Sequence, residues 1–147
     1  MKYFTAIALI LLMLKGSAQN NADAILGKWE STEKNLIVEV YKQDEKFKAK
    51  IVWFLDEVDT SMMNTRLDVK NPDNALRNRK IIGIDVLTNM KYNPNQNKWT
   101  GGRIYDSNSG KTWDATVWLI NPDLMNVRGF YGIRLLGKTL NFTRIKT

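Results

Sequence analysis

The chain has 147 residues, a length typical of one domain. It contains neither histidine nor cysteine, which excludes Ser–His–Asp and Cys–His catalysis, thiolate nucleophiles, disulfides and the usual zinc sites. Its 22 basic residues outnumber 15 acidic ones and give a formal charge of +7. The lysines are scattered along predicted strands, which indicates solubility or attraction to an anionic cell surface or ligand rather than a nucleic-acid partner.

The first 18 residues resemble a secretory signal peptide. Lys2 gives the N-terminal region a positive charge, and Tyr3–Leu14 forms an apolar segment. Gly16–Ala18 then supplies the small residues of a cleavage site. A membrane anchor is the alternative, but the apolar segment is shorter than the roughly 20 residues of a spanning helix. We therefore expect residues 1–18 to be removed and residues 19–147 to form one exported domain, periplasmic or secreted, with no transmembrane segment.

Alternation with a period of two dominates the mature chain and predicts strands. A first strand over 28–31 is followed by a hairpin in which 36–41 and 47–55 flank a polar turn. In the third strand we expect Phe47, Ala49, Ile51, Trp53 and Leu55 to share the buried face.

Further strands are predicted over 80–87, 99–105, 112–120, 124–131 and 134–144, separated by turn sequences rich in Asn, Asp, Pro and Gly. About eight strands and no convincing amphipathic helix predict an all-β fold. We expect a small antiparallel barrel, with a β-sandwich as the alternative. The glycines inside the later strands suit the bends that close a barrel, or alternatively room for a ligand.

One connection, Asp56–Asn78, is long, polar and without clear period. Such loops are uncommon in compact domains and are often functional or partly disordered. It is interpreted either as an excursion at one end of the barrel or as a lid or binding loop.

Gly27-Lys28-Trp29 on the first strand and Arg144 at the end of the last one resemble the lipocalin-like (calycin) barrels. The resemblance implies that the arginine packs over the tryptophan face near the closed end of the barrel. A guanidinium on an indole ring is a favourable cation–π pair.

A second resemblance covers nearly all of the mature chain and depends on six short motifs. They are Gly27-x-Trp29, Asp68-x-x-Asn71-Pro72-Asp73, Trp99-x-Gly101-Gly102-x-Ile104-Tyr105-Asp106, Gly110-Lys111-Thr112, Arg128-Gly129-x-x-Gly132 and Gly137-x-Thr139. Together they are similar to a bacterial family of small exported proteins catalogued as a domain of unknown function. The resemblance implies an exported β domain and brings no catalytic residue; Trp113 stands where that family usually has tyrosine or phenylalanine.

Carboxylates are the remaining route to catalysis or metal binding. A convergent pair would suit glycoside chemistry, and Asp68 to Asp73 with Asn71 could hold calcium. Stabilisation of turns explains Asp73, Asp106 and Asp123 more simply. We therefore predict no catalytic residue, no metal site and no cofactor.

Arginines and aromatic residues form the only ligand-like set. Arg103 and Tyr105 share a strand face, as do Arg128 and Phe130, and an internal arginine beside tyrosine would suit a carboxylate or phosphate. The alternative is that these arginines, like most near strand ends, stay in solvent with their stems along apolar surface. The candidate ligand-binding residues are Trp53, Arg103, Tyr105, Trp113, Arg128, Phe130 and Arg134, and Trp29 with Arg144 is the predicted pair at the barrel end.

Two functions remain open, and an enzyme is not expected. The first is a binding module for a small lipid-like, amphiphilic or anionic ligand. The second is a structural protein that docks to another cell-envelope protein through the 56–78 loop or a sheet edge.

Overall fold

The computed structural model describes residues 21–131 and 137–147, so the predicted signal peptide lies outside the described residues. It contains eight strands and three single 3₁₀ turns in these ranges. The strands are β1 (Gly27–Ser31), β2 (Leu36–Gln43), β3 (Lys46–Phe54), β4 (Asp85–Asn93), β5 (Lys98–Asp106), β6 (Lys111–Asn121), β7 (Leu124–Phe130) and β8 (Gly137–Arg144). The 3₁₀ turns are Asp23–Ile25, Thr60–Met62 and Asn74–Leu76.

The strands form one closed barrel in which every strand pairs antiparallel with its neighbours in the sequence. β1 also pairs with β8, with Trp29 opposite Arg144, and this pairing closes the sheet. The predicted antiparallel barrel is therefore confirmed, and the alternative of a sandwich is wrong because closure leaves no second sheet.

Side chains that alternate along the strands fill the interior of the barrel. The largest of them are less than 2% exposed, and they come from strands on all sides: Trp29, Phe47, Met90, Trp99, Val117 and Met125. Phe47 and Trp99 meet edge to face with ring centroids 6.4 Å apart. Burial of this apolar surface stabilises the fold without disulfides.

One end of the barrel is closed by the Asp23–Ile25 turn, whose Ile25 is fully buried. The Arg144 guanidinium lies 4.2 Å from the centroid of the Trp29 ring, as the lipocalin resemblance implies. It also donates to the backbone oxygen of Leu26 at 2.7 Å. Gly27 has φ +118°, and a Cβ there would lie 3.2 Å from Arg144 Nη1. The glycine thus makes room for the arginine that closes this end.

The fourth strand differs from the prediction. β4 begins at Asp85 and extends to Asn93, whereas 80–84 belong to the connection between β3 and β4. Gly83 has φ +88°, which interrupts extended backbone. Ile81 and Ile84 are buried against Ile51 in a second, smaller apolar cluster at the open end of the barrel. The apolar run that suggested a strand is instead the anchor of the connection.

Candidate functional site at the open end of the barrel

The inner wall of β5 to β8 becomes progressively exposed towards the open end. On β6, Val117 is fully buried and Ala115 is 2% exposed, but Trp113, next on the same face, is only half-buried. The same gradient occurs on β8, where Phe142 is buried, Leu140 half-buried and Lys138 exposed. The inner faces of β6 and β8 are therefore least buried at the open end.

Strand register shows which residues form this wall. Ile104 pairs with Trp113, and Gly129 pairs with both Ala115 and Lys138. A Cβ on Gly129 would lie 3.2 Å from Ile104 Cγ2 and 3.8 Å from Trp113 Cβ, so these side chains pack closely over the glycine and a larger residue would displace them. We define the mouth wall as Ile104, Trp113, Gly129, Lys138 and Leu140.

The opposite side of the mouth is covered by the β3–β4 connection. Its Ile81 and Ile84 pack on Ile51, and Ile51 N donates to Ile84 O at 3.0 Å. The connection therefore packs over the β3 side of this end of the barrel.

Among the predicted ligand residues that the structure describes, Trp113 is the one that lies on this inner wall. Trp53 does not, because the register shifts between Ile37 and Val38. Beyond the shift Leu36 pairs with Phe54, and Leu36 packs against the barrel core. The neighbouring pair, Ile37 with Trp53, therefore points outward, and the expected inward position of Trp53 is wrong.

The candidate anion-binding residues on β5 do not face the interior. Gly102 and Ile104 face the interior, so the alternating Arg103 and Tyr105 face outward. Arg103 pairs with Asp114 at 3.4 Å in an exposed ion pair.

On β7, Val127 faces the interior, which puts Arg128 and Phe130 on the outer face. Arg128 Nη1 donates to Thr139 Oγ1 at 2.9 Å. Arg134 lies outside the described residues. The arginines named from the sequence thus do not share an internal pocket in the described part of the chain.

Tyr105 has a different role, which its motif did not reveal. Its hydroxyl donates at 2.6 Å to Asp68, a carboxylate with no exposed surface. Asn71 Nδ2 donates to the same carboxylate at 2.8 Å, and Arg79 reaches it at 3.0 Å. Burial and then the hydrogen bond to Asp68 raise the pKa of Tyr105 to about 12. We call Asp68, Asn71, Arg79 and Tyr105 the loop lock, because they fasten the connection to β5.

Gly110 completes this attachment from the β5–β6 turn. It has φ +71°, and a Cβ there would lie 2.0 Å from the backbone oxygen of Lys70. The DxxNPD, IYD and GKT motifs are therefore distant in sequence but form one contact region in space.

A second fastening holds the start of the connection. Arg66 binds Asp56 through two nitrogens, at 2.7 and 2.9 Å. The Arg66 guanidinium, together with the backbone donors of Asp59 and Val58, lowers the pKa of Asp56 to about 2. The Asp56–Arg66 pair thus closes the first half of the connection on itself, whereas the loop lock fastens the second half to β5.

Aspartates at turns and strand ends have structural partners. Asp73 accepts from Ala75 N at 2.9 Å, and Asp106 accepts from Asn108 N at 2.9 Å, as their turn positions predict. Asp85 accepts from the Tyr41 hydroxyl at 2.6 Å. Within residues 21–131 and 137–147 there is no group of three or more acidic side chains that could hold a metal ion.

Residues 132–139 also spell GxxxxGK[ST], the pattern of a phosphate-binding loop. That loop must open a helix, whose N-terminal amides hold the phosphates. Here Gly137, Lys138 and Thr139 start β8, which pairs antiparallel with β7. The match is therefore limited to the sequence pattern, because its Gly-Lys-Thr residues lie in a strand and not at the start of a helix.

An open depression of about 450 Å³ lies on the outer surface beside β2 and β3, lined by Tyr41, Lys42, Gln43, Lys50, Gly83 and Asp85. Its charged groups are paired: Lys50 with Glu39 at 3.3 Å and Lys42 with Asp23 at 3.3 Å. No helix among the described residues has the length and apolar character needed to cross a membrane.

Comparisons with known proteins agree with this geometry. A solved structure, described as protein HP1028 from the human pathogen Helicobacter pylori, which belongs to the lipocalin family, is similar to this chain. The TM-score is 0.71 at 24% identity, over 83% of each chain, which establishes likeness of fold. No curated protein matches. A family model described as an uncharacterized protein conserved in bacteria, DUF2147, matches residues 27–144, and this chain belongs to that family.

Proposed function

We propose that this protein is a non-enzymatic binding module which takes a small apolar or amphiphilic ligand at the mouth wall. The observation that carries the proposal is the exposure gradient along β6, from fully buried Val117 to half-buried Trp113 on the same inner face. An apolar surface left accessible at the open end of a small barrel is suited to an apolar ligand.

Charge at the rim favours an amphiphile with an anionic head. Lys138 pairs with Gly129 and follows Leu140 and Phe142 on the inner face, so its ammonium group stands at the exposed edge of the apolar wall. A carboxylate there would gain a cationic partner while its chain lies along Trp113 and Ile104.

Binding of cis-parinaric acid, a fluorescent fatty acid, tests this proposal. We expect saturable binding that is lost in Gly129→Leu, because the new side chain fills the wall beside Ile104 and Trp113. Ile120→Ala is the matched control, since Ile120 is 61% exposed at the opposite end of the barrel and should bind the probe normally. Equal affinity of Gly129→Leu and the unmodified protein would overturn the proposal.

Export is part of the same proposal. The charged start, apolar segment and small residues of positions 1–18 support a cleaved leader and a periplasmic or secreted product. Fractionation of cells, followed by mass spectrometry of the intact chain, should recover a protein that begins at Gln19. A full-length chain in the cytoplasmic fraction would contradict export.

A second candidate is docking to a cell-envelope protein through the connection. It is favoured by the exposure of Val58 (87%) and Val69 (63%) on a segment that the loop lock and the Asp56–Arg66 pair hold in place. Crosslinking in cells should recover one partner with the unmodified protein and lose it with Val58→Ser/Val69→Ser, whereas Ile120→Ser retains it. Retention of the partner by the double variant would reject docking through this segment.

A further inference from the structure

The outer face of β5 to β8 carries a row of side chains that belongs to neither the mouth wall nor the connection. Trp118 pairs with Asn126, which pairs with Asn141 on the next strand. Lys98 Nζ lies 5.3 Å from the centroid of the Trp118 ring on the other side. The Trp118 ring on β6 therefore lies between the Lys98 ammonium group on β5 and the amide side chains of two asparagines on β7 and β8. We call Lys98, Thr116, Trp118, Asn126 and Asn141 the outer patch.

Two polar atoms in the centre of this patch lack a hydrogen-bond partner within the described part of the chain. They are Thr116 Oγ1 and Asn126 Oδ1, and both are buried. Thr116 as a whole is only 4% exposed although its strand position faces outward. A buried polar atom without a partner costs about 1–3 kcal/mol, so native proteins rarely keep one without a reason.

We propose that the outer patch binds a saccharide, with one sugar ring stacked on Trp118 and a hydroxyl donating to Asn126 Oδ1. An indole ring offers a flat apolar surface to the C–H face of a sugar. A sugar hydroxyl both donates and accepts, so it satisfies the amide oxygen and can accept from the Lys98 ammonium group. The side chain of Asn126 is half-buried, and the proposal requires its amide to rotate about the soft terminal torsion so that Oδ1 meets the sugar.

Other ligand classes fit these groups less well. A fatty chain supplies no donor for Asn126 Oδ1 and leaves it unpaired. An inorganic anion brings only acceptors to the amide oxygen. A peptide strand would need an unpaired sheet edge, and the closed barrel offers none among its eight strands.

The test follows the indole N–H signals of the ¹⁵N-labelled protein by NMR while chitotriose, maltotriose or cellotriose is added to millimolar concentration. We expect at least one of the three sugars to shift the Trp118 signal saturably. In Trp118→Ala, that sugar should no longer shift any other signal. Asn126→Leu keeps the size of the side chain but removes the acceptor, and should weaken binding at least tenfold.

Trp53→Ala is the matched control, because Trp53 is also half-buried on the outer face but lies on β3, outside the patch. It should leave the affinity unchanged. The proposal is overturned if none of the three sugars moves the Trp118 signal, if Trp53→Ala weakens binding as much as Trp118→Ala, or if inorganic phosphate produces the same shifts. The mouth wall lies on the inner face, so failure here leaves the fatty-acid test of the proposed function unaffected, and the reverse also holds.

Discussion

The loop lock gives the sharpest energetic prediction, through Tyr105→Phe. The substitution removes one hydroxyl, which donates at 2.6 Å to a carboxylate with no exposed surface. Hydrogen bonds to charged groups contribute about 1.5–3 kcal/mol, so the free energy of unfolding should fall by about 2 kcal/mol. The bond from Asn71 to the same hydroxyl is long, at 3.3 Å, and adds little.

Urea unfolding measures this loss directly. With a slope of about 2 kcal/mol per molar for a domain of this size, the midpoint should fall by about 1 M at unchanged slope. Tyr92→Phe is the matched control, because its hydroxyl donates to Asn97 at 2.7 Å in an exposed pair. Its loss should cost less than about 0.5 kcal/mol. Equal midpoints for the two variants would refute the assignment of Tyr105 as an anchor of the connection.

The same hydroxyl predicts an alkaline transition. The pKa of Tyr105 is raised from 10.0 to about 12, so its contribution to stability is complete below pH 10 and is lost as the pH rises towards 12. The unfolding midpoint of the unmodified protein should therefore fall more steeply in this window than that of Tyr105→Phe. Parallel curves would show that the tyrosine ionises normally.

The remaining predictions concern the other fastenings of the connection. Arg66→Gln should lower the urea midpoint at pH 5 but much less at pH 2. The pKa of Asp56 is lowered from 3.8 to about 2, so the stability contributed by its ionised form is lost as the pH falls through that range. An equal difference at both pH values would contradict the pairing. Gly110→Ala should destabilise by about 2 kcal/mol or more, because it combines φ +71° with a Cβ 2.0 Å from a backbone oxygen. Gly101→Ala has φ +77° but open space, so thermal unfolding should show a smaller loss; equal losses would mean that only the backbone angle matters.

Strand periodicity predicted the barrel because its side chains have only two places to point, into the core or away from it. Val38, Phe47 and Val117 are inward and buried, as the alternation indicates. The pairing of Trp29 with Arg144 followed from a family resemblance, and geometry at the closed end agrees with it.

The predicted inward or outward direction of a side chain is wrong where the backbone departs from regular strand pairing. Alternation placed Trp53 inside, but the register shift beside Ile37 reverses the faces from that point, and no residue type in the strand marks the shift. Alternation shows that Arg103 shares a face with Tyr105 and Arg128 with Phe130, but it leaves open whether each face points inward, because that depends on the neighbouring strands.

The lock on Asp68 could not be found from local sequence because two of its three partners are distant along the chain. Asn71 is three residues away, but Arg79 and Tyr105 are 11 and 37 residues away. A buried carboxylate is recognisable only once donors converge on it in space. The one available signal was that the DxxNPD and IYD motifs occur together in the family pattern.

Native mass spectrometry of the protein purified from the cells that make it tests ligand binding at the mouth wall most directly. We predict a mass above that of the chain alone, which returns to the chain mass on denaturation and is absent from Gly129→Leu. The mass of the bare chain under native conditions, or the same excess mass in Gly129→Leu, would contradict the assignment of the mouth wall as the binding site.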